Sequence, residues 1–562
     1  MSDDGQSEPW DAIILGGSLA GASTAVLLLR RNPALRVLII EKAERFGRKV
    51  GESTVETSAY FLGHVLGLTS HLNEHHLVKQ GMRFWFGNDQ TRTLADCSET
   101  GPIYNVRLPG YQIDRSVLDE EVLAMAVRAG AQLMRPVKVR DVILAEGGMQ
   151  TVLWENEAGT AAGPVQGAAR GRWVIDGSGY AAVLARKFGW MTPNTAHPIA
   201  ACWSRWKGVG NMDGRELAGL YPQWSRRAKG VRYTATNHIC GRGWWSWWIP
   251  LKGGDFSVGI VYDQRLAELP PGGKLGDRLR TFLDQQPAAR ELLAGAHWQE
   301  GDVHFRRNCA YRSTTFAGDG FVLVGDAAAF MDPFYSPGMD WISFSSSAAA
   351  ALVADTLAGA PVAPRVAKHN WDFSHSYDRW FDAVYRDKYH YMGDFELMTL
   401  AFRLDLGCYY AGVVSQPFKL GESILVIPAF ARPGAGPAAA LMGLYNRRLA
   451  KIARGRMARG VWGRHNTRHF FGFISYELNK RLLPRIIWAL VCWLGLEMRE
   501  GWRTWFHEPG LRKAPAPSAG TEDAFVAVGY LATVNVKGAA PQGAAMAGAH
   551  PSVAREVEPL KV

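Results

Sequence analysis

The chain has 562 residues, of which 47% are apolar and 20% charged, and a formal net charge of +11. That length exceeds one ordinary hydrophobic core and predicts two or three packed units of a soluble globular protein. Six Cys without a C-x-x-C pair fit neither a metal site nor a disulfide scaffold, which makes a reducing cytoplasm the expected location. The moderate basic excess predicts weak attraction to anions and says nothing of fold. The first ten residues, MSDDGQSEPW, are polar and acidic and lack a signal-peptide pattern. The longest strongly apolar run in the C-terminal third, residues 486–496, is well short of the roughly 20 that span a bilayer.

In chain order, residues 11–16 (DAIILG) predict a buried strand closed by Gly, 21–31 a helix, and 36–41 (RVLIIE) a second buried strand. Strand, Gly turn, helix, strand opens a βαβ unit with a parallel sheet. Residues 118–131 predict a helix, and 171–179 (GRWVIDGSG) a strand ending in a Gly-rich turn. From about 196 to 309 the pattern changes to alternating, aromatic-rich strands, predicting an antiparallel substrate domain. Residues 321–325 (FVLVG) return to a buried strand, so the nucleotide unit is expected to be discontinuous, 1–195 with 310–362. Residues 363–512 predict a helical region, and 513–562, rich in Ala, Pro and Gly, a mostly flexible tail with one apolar stretch at 525–536.

The first turn reads Gly16-Gly17-Ser18-Leu19-Ala20-Gly21, a G-x-G-x-x-G pattern with Ser18 in place of the second Gly. Such a turn lets the backbone approach a pyrophosphate and aims the free N–H groups of a helix start at it. Glu41 closes the second strand 25 residues after Gly16, the place of a carboxylate for a ribose hydroxyl. A dinucleotide site is therefore expected, although a ligand-free Gly/Ala turn reads the same in isolation.

Gly325-Asp326-Ala327-Ala328 follows a buried strand and precedes Pro333 and Gly338. This resembles the second FAD motif of the glutathione-reductase-like flavoproteins, in which the Asp binds the ribityl chain and the next helix start faces the flavin. Ile113-Asp114-Arg115 with Leu118-Asp119, and Ile175-Asp176-Gly177-Ser178-Gly179, resemble further elements of that group. The resemblance implies an α/β glutathione-reductase-like Rossmann domain that binds FAD through Gly16, Gly17, Ser18, Ala20, Gly21, Glu41, Glu52, Ser53, Arg115, Asp326, Gly338 and Met339. No second G-x-G-x-x-G follows a strand, so no NAD(P)H domain is visible.

Trp245-Ser246-Trp247-Trp248-Ile249-Pro250 fits W-x-W-x-I-P, and Gly51-Glu52-Ser53-Thr54 resembles a G-E-S/A-T segment. Both resemble the flavin-dependent halogenases, as does Leu77-Val78-Lys79-Gln80-Gly81, the region of that family's catalytic Lys. The resemblance spans about residues 10–400. It implies that reduced FAD and O₂ turn chloride or bromide into hypohalous acid, which reaches Lys79 through a tunnel and halogenates an electron-rich ring. Trp245, Trp247, Ile249 and Pro250 would line that tunnel, and a partner flavin reductase would supply reduced FAD. Adjacent Trp residues otherwise build core, and a lone Lys is otherwise a solvated charge.

After Asp332-Pro333-Phe334 the chain reads Tyr335-Ser336-Pro337-Gly338-Met339. In the tryptophan halogenases a Glu aligned with Tyr335 is an active-site base, so phenol- or pyrrole-like substrates, free or on an acyl carrier protein, are expected. In the family a Ser or Thr precedes the Gly, and those two N–H groups hold halide; Pro337 has no N–H. The halide loop Ser336-Pro337-Gly338 therefore keeps a flavin monooxygenase as the rival expectation. Between positions 447 and 485 stand 11 Lys/Arg and one acid, Glu477, with aromatics interleaved. A solvated basic face explains that run; the functional readings are peripheral membrane contact through 447–496 or a dock for an acidic carrier. No recognition motif supports nucleic-acid binding.

Overall fold

The computed structural model describes residues 8–160, 163–474, 478 and 482–506. The expected tail, 513–562 with its apolar stretch 525–536, lies outside the described residues.

Strand Trp10–Leu15 sits centrally in a parallel sheet, with Ile14 in register with Ile39 on one side and Ile175 on the other. Its last four residues are buried, which is why it reads as a continuous apolar run rather than an alternation. The sheet order is Ala317–Gly318, Phe321–Leu323, Gly163–Asp176, Trp10–Leu15, Val37–Ile40 and Gln132–Met134. Phe321–Leu323 thus returns beside Gly163–Asp176, which brings residues over 140 positions apart to one sheet edge. An antiparallel extension, Lys138–Ile143 and Gln150–Thr160, leads into Gly163–Asp176. Helices Leu19–Arg31 and Pro337–Leu357 pack together, where Ser346 Oγ donates to Ala20 O at 3.2 Å.

The second sheet also has eight strands and is wider than the expected 196–309. Its order is His297–Arg306, Ile199–Lys207, Phe256–Asp263, Trp244–Pro250, Thr236–Gly241, Met82–Phe86, Ser98–Pro102 and Phe470–Phe473. It therefore takes two strands from within 1–195 and one from within 363–512. Nor is it wholly antiparallel: Thr236–Gly241 pairs parallel with Met82–Phe86, and Phe470–Phe473 parallel with Ser98–Pro102. Local pattern cannot reveal such joins, because the partners are remote in sequence.

The C-terminal region is built on helices Val362–Trp380, Phe395–Tyr409, Ala435–Ala458 and Leu482–Arg499. Phe395–Leu420 forms a continuous helical stretch long and apolar enough to cross a membrane, but 72% of its apolar window is buried inside the protein. It is the core rod of this region. π-helical turns follow two of these helices, at Phe381–Tyr385 and Tyr410–Val414. Such turns recur at functional sites because they turn side chains off the regular helical face. All six Cys are unpaired thiols.

Candidate active site

The dinucleotide turn is shaped by contact. A Cβ on Gly21 would lie 2.0 Å from Gly16 O, so only Gly lets the helix start close on the strand end. Ser18 caps helix Leu19–Arg31 with extended backbone and no side-chain cap bond. Glu41 is buried, and its carboxylate accepts from Gly17 N and Ala43 N, both at 2.8 Å. Ala20 is buried beside Gly325, at the junction with the second motif.

Asp326 follows Gly325 at that junction. Burial pushes its carboxyl pKa up, against the pull of Arg306 and Arg115. No hydrogen bond reaches that carboxylate among the described residues. Desolvated oxygens without donors are costly, so the position suits a ligand that brings hydroxyl groups. Arg115 is committed to Asp119, at 2.8 and 3.1 Å, and reaches Val50 O at 3.3 Å. Glu52 is buried and turned onto Arg205, which also holds Asp114 at 3.2 Å. Burial raises the Glu52 pKa to about 7, against the pull of that guanidinium. Glu52 and Arg115 thus act within an internal charge network.

Lys79 is 3% exposed. Its Nζ donates to Ser53 Oγ and Thr54 O, each at 2.8 Å, while its backbone N–H is tied to Gly110 O. Burial lowers the ammonium pKa to about 8, opposed by the Glu56 and Asp340 carboxylates. His238 is buried on the adjoining strand and kept neutral, its pKa pushed down to about 3 by burial and by Lys79.

Lys79, Glu56, Tyr410 and Phe402 line one cavity; Tyr335, Pro337, Asp340, Tyr409 and Asp405 line a second, of about 100 Å³. Val55, Met82, Phe402 and Leu406 belong to both walls. Two residues absent from the sequence reading complete the site. Glu56 accepts from Tyr410 Oη at 2.6 Å. Asp340 accepts from Tyr409 Oη at 2.8 Å and Ser58 N at 2.9 Å, and burial raises its pKa to about 7. Their signal was present: Glu56 is two residues past Thr54, and Asp340 two past Gly338.

Tyr335 occupies the place where a base was sought. Its Oη donates to Asp405 at 3.2 Å, and Lys388 binds the same carboxylate at 2.6 Å. Tyr335 and Ser336 both have left-handed backbone, φ 69° and 56°, and Pro337 opens helix Pro337–Leu357. Ser336 N–H is used by Pro333 O. Pro at the first helical position loses no intrahelical bond, and the N–H groups of Gly338 and Met339 then stand in the first turn, where no intrahelical acceptor exists.

The Trp hexad divides by strand alternation. Trp245, Trp247 and Ile249 face the main core, while Trp244 and Trp248 face the opposite layer. Trp245 packs edge-on against Phe334 at 5.1 Å and donates to Tyr389 Oη at 2.9 Å. Trp247 donates to Ser257 Oγ at 3.1 Å. Gly259 makes room for it: a Cβ there would lie 2.3 Å from the Trp247 ring. Neither Trp lines either cavity, and neither do Ile249 and Pro250. Phe334, Tyr335, Phe84 and Phe402 form a cluster of ring contacts with Trp245 behind Phe334, and of these Tyr335 and Phe402 line the cavities.

The family model for tryptophan halogenase matches residues 218–392, which hold the Trp hexad and the Asp326-to-Met339 segment. The flavin-dependent halogenase ChlA of Dictyostelium discoideum is 30% identical over 362 residues, 59% of this chain and 58% of that protein. Over these stretches the chain is similar to flavin-dependent halogenases. The matched part is thus under two thirds of that relative's length. The sulochrin halogenase GedL of Aspergillus terreus is 26% identical, over 58% of this chain and 60% of its own. In fold, the chain is similar to halogenase PltM solved with phloroglucinol and FAD. The TM-score is 0.65 at 18% identity, covering 86% of this chain and 96% of that one.

Part of the basic run is paired within the protein. Arg456 is fully buried, on Asp394 at 2.9 Å and Glu396 at 2.6 Å and on Glu500. Arg448 holds Glu497, Arg459 holds Glu500, and Arg468 holds Asp96. These cations serve as internal ties, which removes much of the charge an acidic carrier would need. No group of His, Cys, Asp and Glu suited to a metal occurs among the described residues.

Proposed function

We propose that the protein is an FAD-dependent halogenase that places chlorine or bromine on an electron-rich aromatic ring, phenol- or pyrrole-like. The observation that carries this reading is Lys79: a buried amine with a pKa of about 8, in a cavity that shares a wall with the Pro337 helix start. Gly16, Gly17, Gly21, Glu41 and Asp326 fit an FAD, whose reduced form supplies with O₂ the oxidising equivalent for halide oxidation. A separate reductase would deliver that reduced flavin.

Lys79 would hold hypohalous acid beside the ring through its hydrogen atoms and its partly neutral nitrogen. The ring would gain halogen as the O–X bond breaks, the hydroxyl would take a proton from the Lys79 ammonium and leave as water, and the displaced ring proton would pass to a carboxylate, keeping the proton count. Glu56 lines the Lys79 cavity and supports that role in place of the missing Glu at Tyr335. The aromatic wall around Phe402 would exclude bulk water and keep the acid from escaping before it meets the ring. A phenol-like substrate agrees with the phloroglucinol bound by PltM, a protein of like fold. A flavin monooxygenase is the second reading, favoured by one feature, the N–H lost at Pro337.

The test is mass spectrometry of reductase-coupled reactions with phenols and pyrroles, free and carrier-bound, with chloride or bromide. Halogenated product is expected. Lys79→Ala should lower its rate at least about 100-fold, the scale of a positioned proton-handling group, while reduced-flavin oxidation continues. An oxygenated product alone at saturating halide would replace the halogenase with the monooxygenase.

A further inference from the structure

Helix Leu482–Arg499 wears its apolar residues on the wrong side. Its inner face, Leu482, Ala489, Trp493 and Leu496, is buried. Tyr445 and Trp493 meet at 6.4 Å, and Arg448 clamps Glu497, which fixes the helix against Ala435–Ala458. Yet Leu483, Ile487, Trp488, Val491, Leu494 and Met498 are exposed, by 49% to 74%. At about 100° per residue, these positions fall within one arc of roughly 140°. No charged side chain interrupts the arc. It continues into Trp502, Trp505 and Phe506, exposed by 52%, 55% and 91%. Trp505 Nε1 donates to Glu497 Oε2 at 3.1 Å, which ties this patch to the helix.

Scattered apolar side chains on a surface need no account, but a contiguous patch of nine marks an interaction site. We propose that the outer face of Leu482–Arg499, with Trp502, Trp505 and Phe506, docks this protein onto the surface of an anionic lipid bilayer. Three features select lipid over a protein partner. The arc offers only one hydrogen-bonding side chain, the Trp488 indole, whereas protein interfaces carry about one hydrogen bond per 100–200 Å². Three exposed Trp suit the headgroup depth, where an apolar ring and a polar N–H are both accommodated. Two exposed cations flank the apolar patch: Arg503, 5.5 Å over the Trp502 ring, and Arg499, which also pairs with Glu396 at 3.0 Å; the chain carries +11 overall. Those charges complement anionic headgroups.

The helix lies along the bilayer surface, because its inner face is packed into the protein. The docking rests on hydrophobic contact at 483–506, and so differs from a basic dock along 447–468, whose guanidinium groups are largely paired internally. It is also independent of the halogenase reading, since its readout is binding.

The experiment is flotation of the full chain with phosphatidylcholine vesicles, with and without 30% phosphatidylserine. Wild type should float, more strongly with phosphatidylserine. The triple variant Ile487→Ser/Trp488→Ser/Leu494→Ser should lose binding at least about 100-fold, because three large apolar side chains are deleted from the contact. Leu494→Ser alone should lose about tenfold, which serves should the triple variant fold poorly. Wild type that floats with neither vesicle overturns the proposal. So does a triple variant that floats like wild type, or a wild-type dimer in sedimentation that the triple variant abolishes.

Discussion

Lys79 is an amine removed from water with hydrogen bonds to only two oxygens, Ser53 Oγ and Thr54 O. The folded protein therefore binds its proton less tightly than the unfolded chain, with a pKa of about 8 against 10.5. Between those values the unfolded chain holds more protons, so stability rises with pH. Burying the charged form costs stability below about pH 8, and that cost is relieved as pH climbs to 10.5. Lys79→Met has no proton to release. The wild type should gain about 3 kcal/mol relative to Lys79→Met between pH 7.5 and 10.5. Denaturant unfolding of both proteins at the two pH values measures this, since the other groups cancel in the difference. Parallel pH profiles would place Lys79 in water.

Helix Pro337–Leu357 shows how one element can keep a site while changing its chemistry. Its start is held by Ser336 in left-handed backbone and by Pro337, whose fixed φ suits the first helical position. The loss is a single N–H donor, with the Gly338 and Met339 donors retained in the same turn. Pro337→Ser should restore the third donor and lower the half-saturating bromide concentration about tenfold, as one added hydrogen bond to an anion would. FAD affinity should be unchanged, since Asp326 and the Gly16 turn are untouched. Product formation against bromide concentration decides it; an unchanged halide dependence removes this turn from halide binding. Strand Trp244–Pro250 divides by alternation, sending Trp245 and Trp247 to the main core and Trp244 and Trp248 to the opposite layer.

The C-terminal region is tied to itself through Arg456, which draws Asp394 and Glu396 at the start of Phe395–Tyr409 together with Glu500 past the end of Leu482–Arg499. Burial would raise the Glu396 pKa, but Arg456 and Arg499 pull it down to about 2. Removing Arg456 leaves three carboxylates facing one another out of water. Arg456→Leu should cost about 3–5 kcal/mol, the range for breaking a buried ion pair. Arg459→Leu, on the half-exposed partner of Glu500, should cost under about 1 kcal/mol. Chemical unfolding of both variants measures the contrast, and equal costs would mean that the cluster is solvated. The strand Phe470–Phe473 extends the same region into the second sheet, so the helices and that sheet share one core.

The Gly16 turn and Glu41 were read as candidates from local chemistry, and Asp326 and Lys79 from a resemblance of short segments. A tight turn needs Gly, a parallel strand buried on both faces needs an apolar run, and each motif carries its own spacing. The family resemblance followed from those short segments. Four things were not legible, and each depends on residues far apart in the chain. The second sheet recruits Met82–Phe86, Ser98–Pro102 and Phe470–Phe473, because hydrogen-bonded neighbours need no proximity in sequence. Glu56 and Asp340 become groups of the Lys79 site only when the segment after Gly51 meets the helix after Pro337. The basic run reads as a surface, yet Arg448 and Arg456 point inward, since their carboxylate partners lie 44 to 62 residues away. The apolar run 486–496 could not show which of its side chains would be exposed; Ile487, Trp488 and Leu494 are turned outward, because the other side of that helix is already packed. Composition and period fix which residues want to leave water, and tertiary packing decides which of them do.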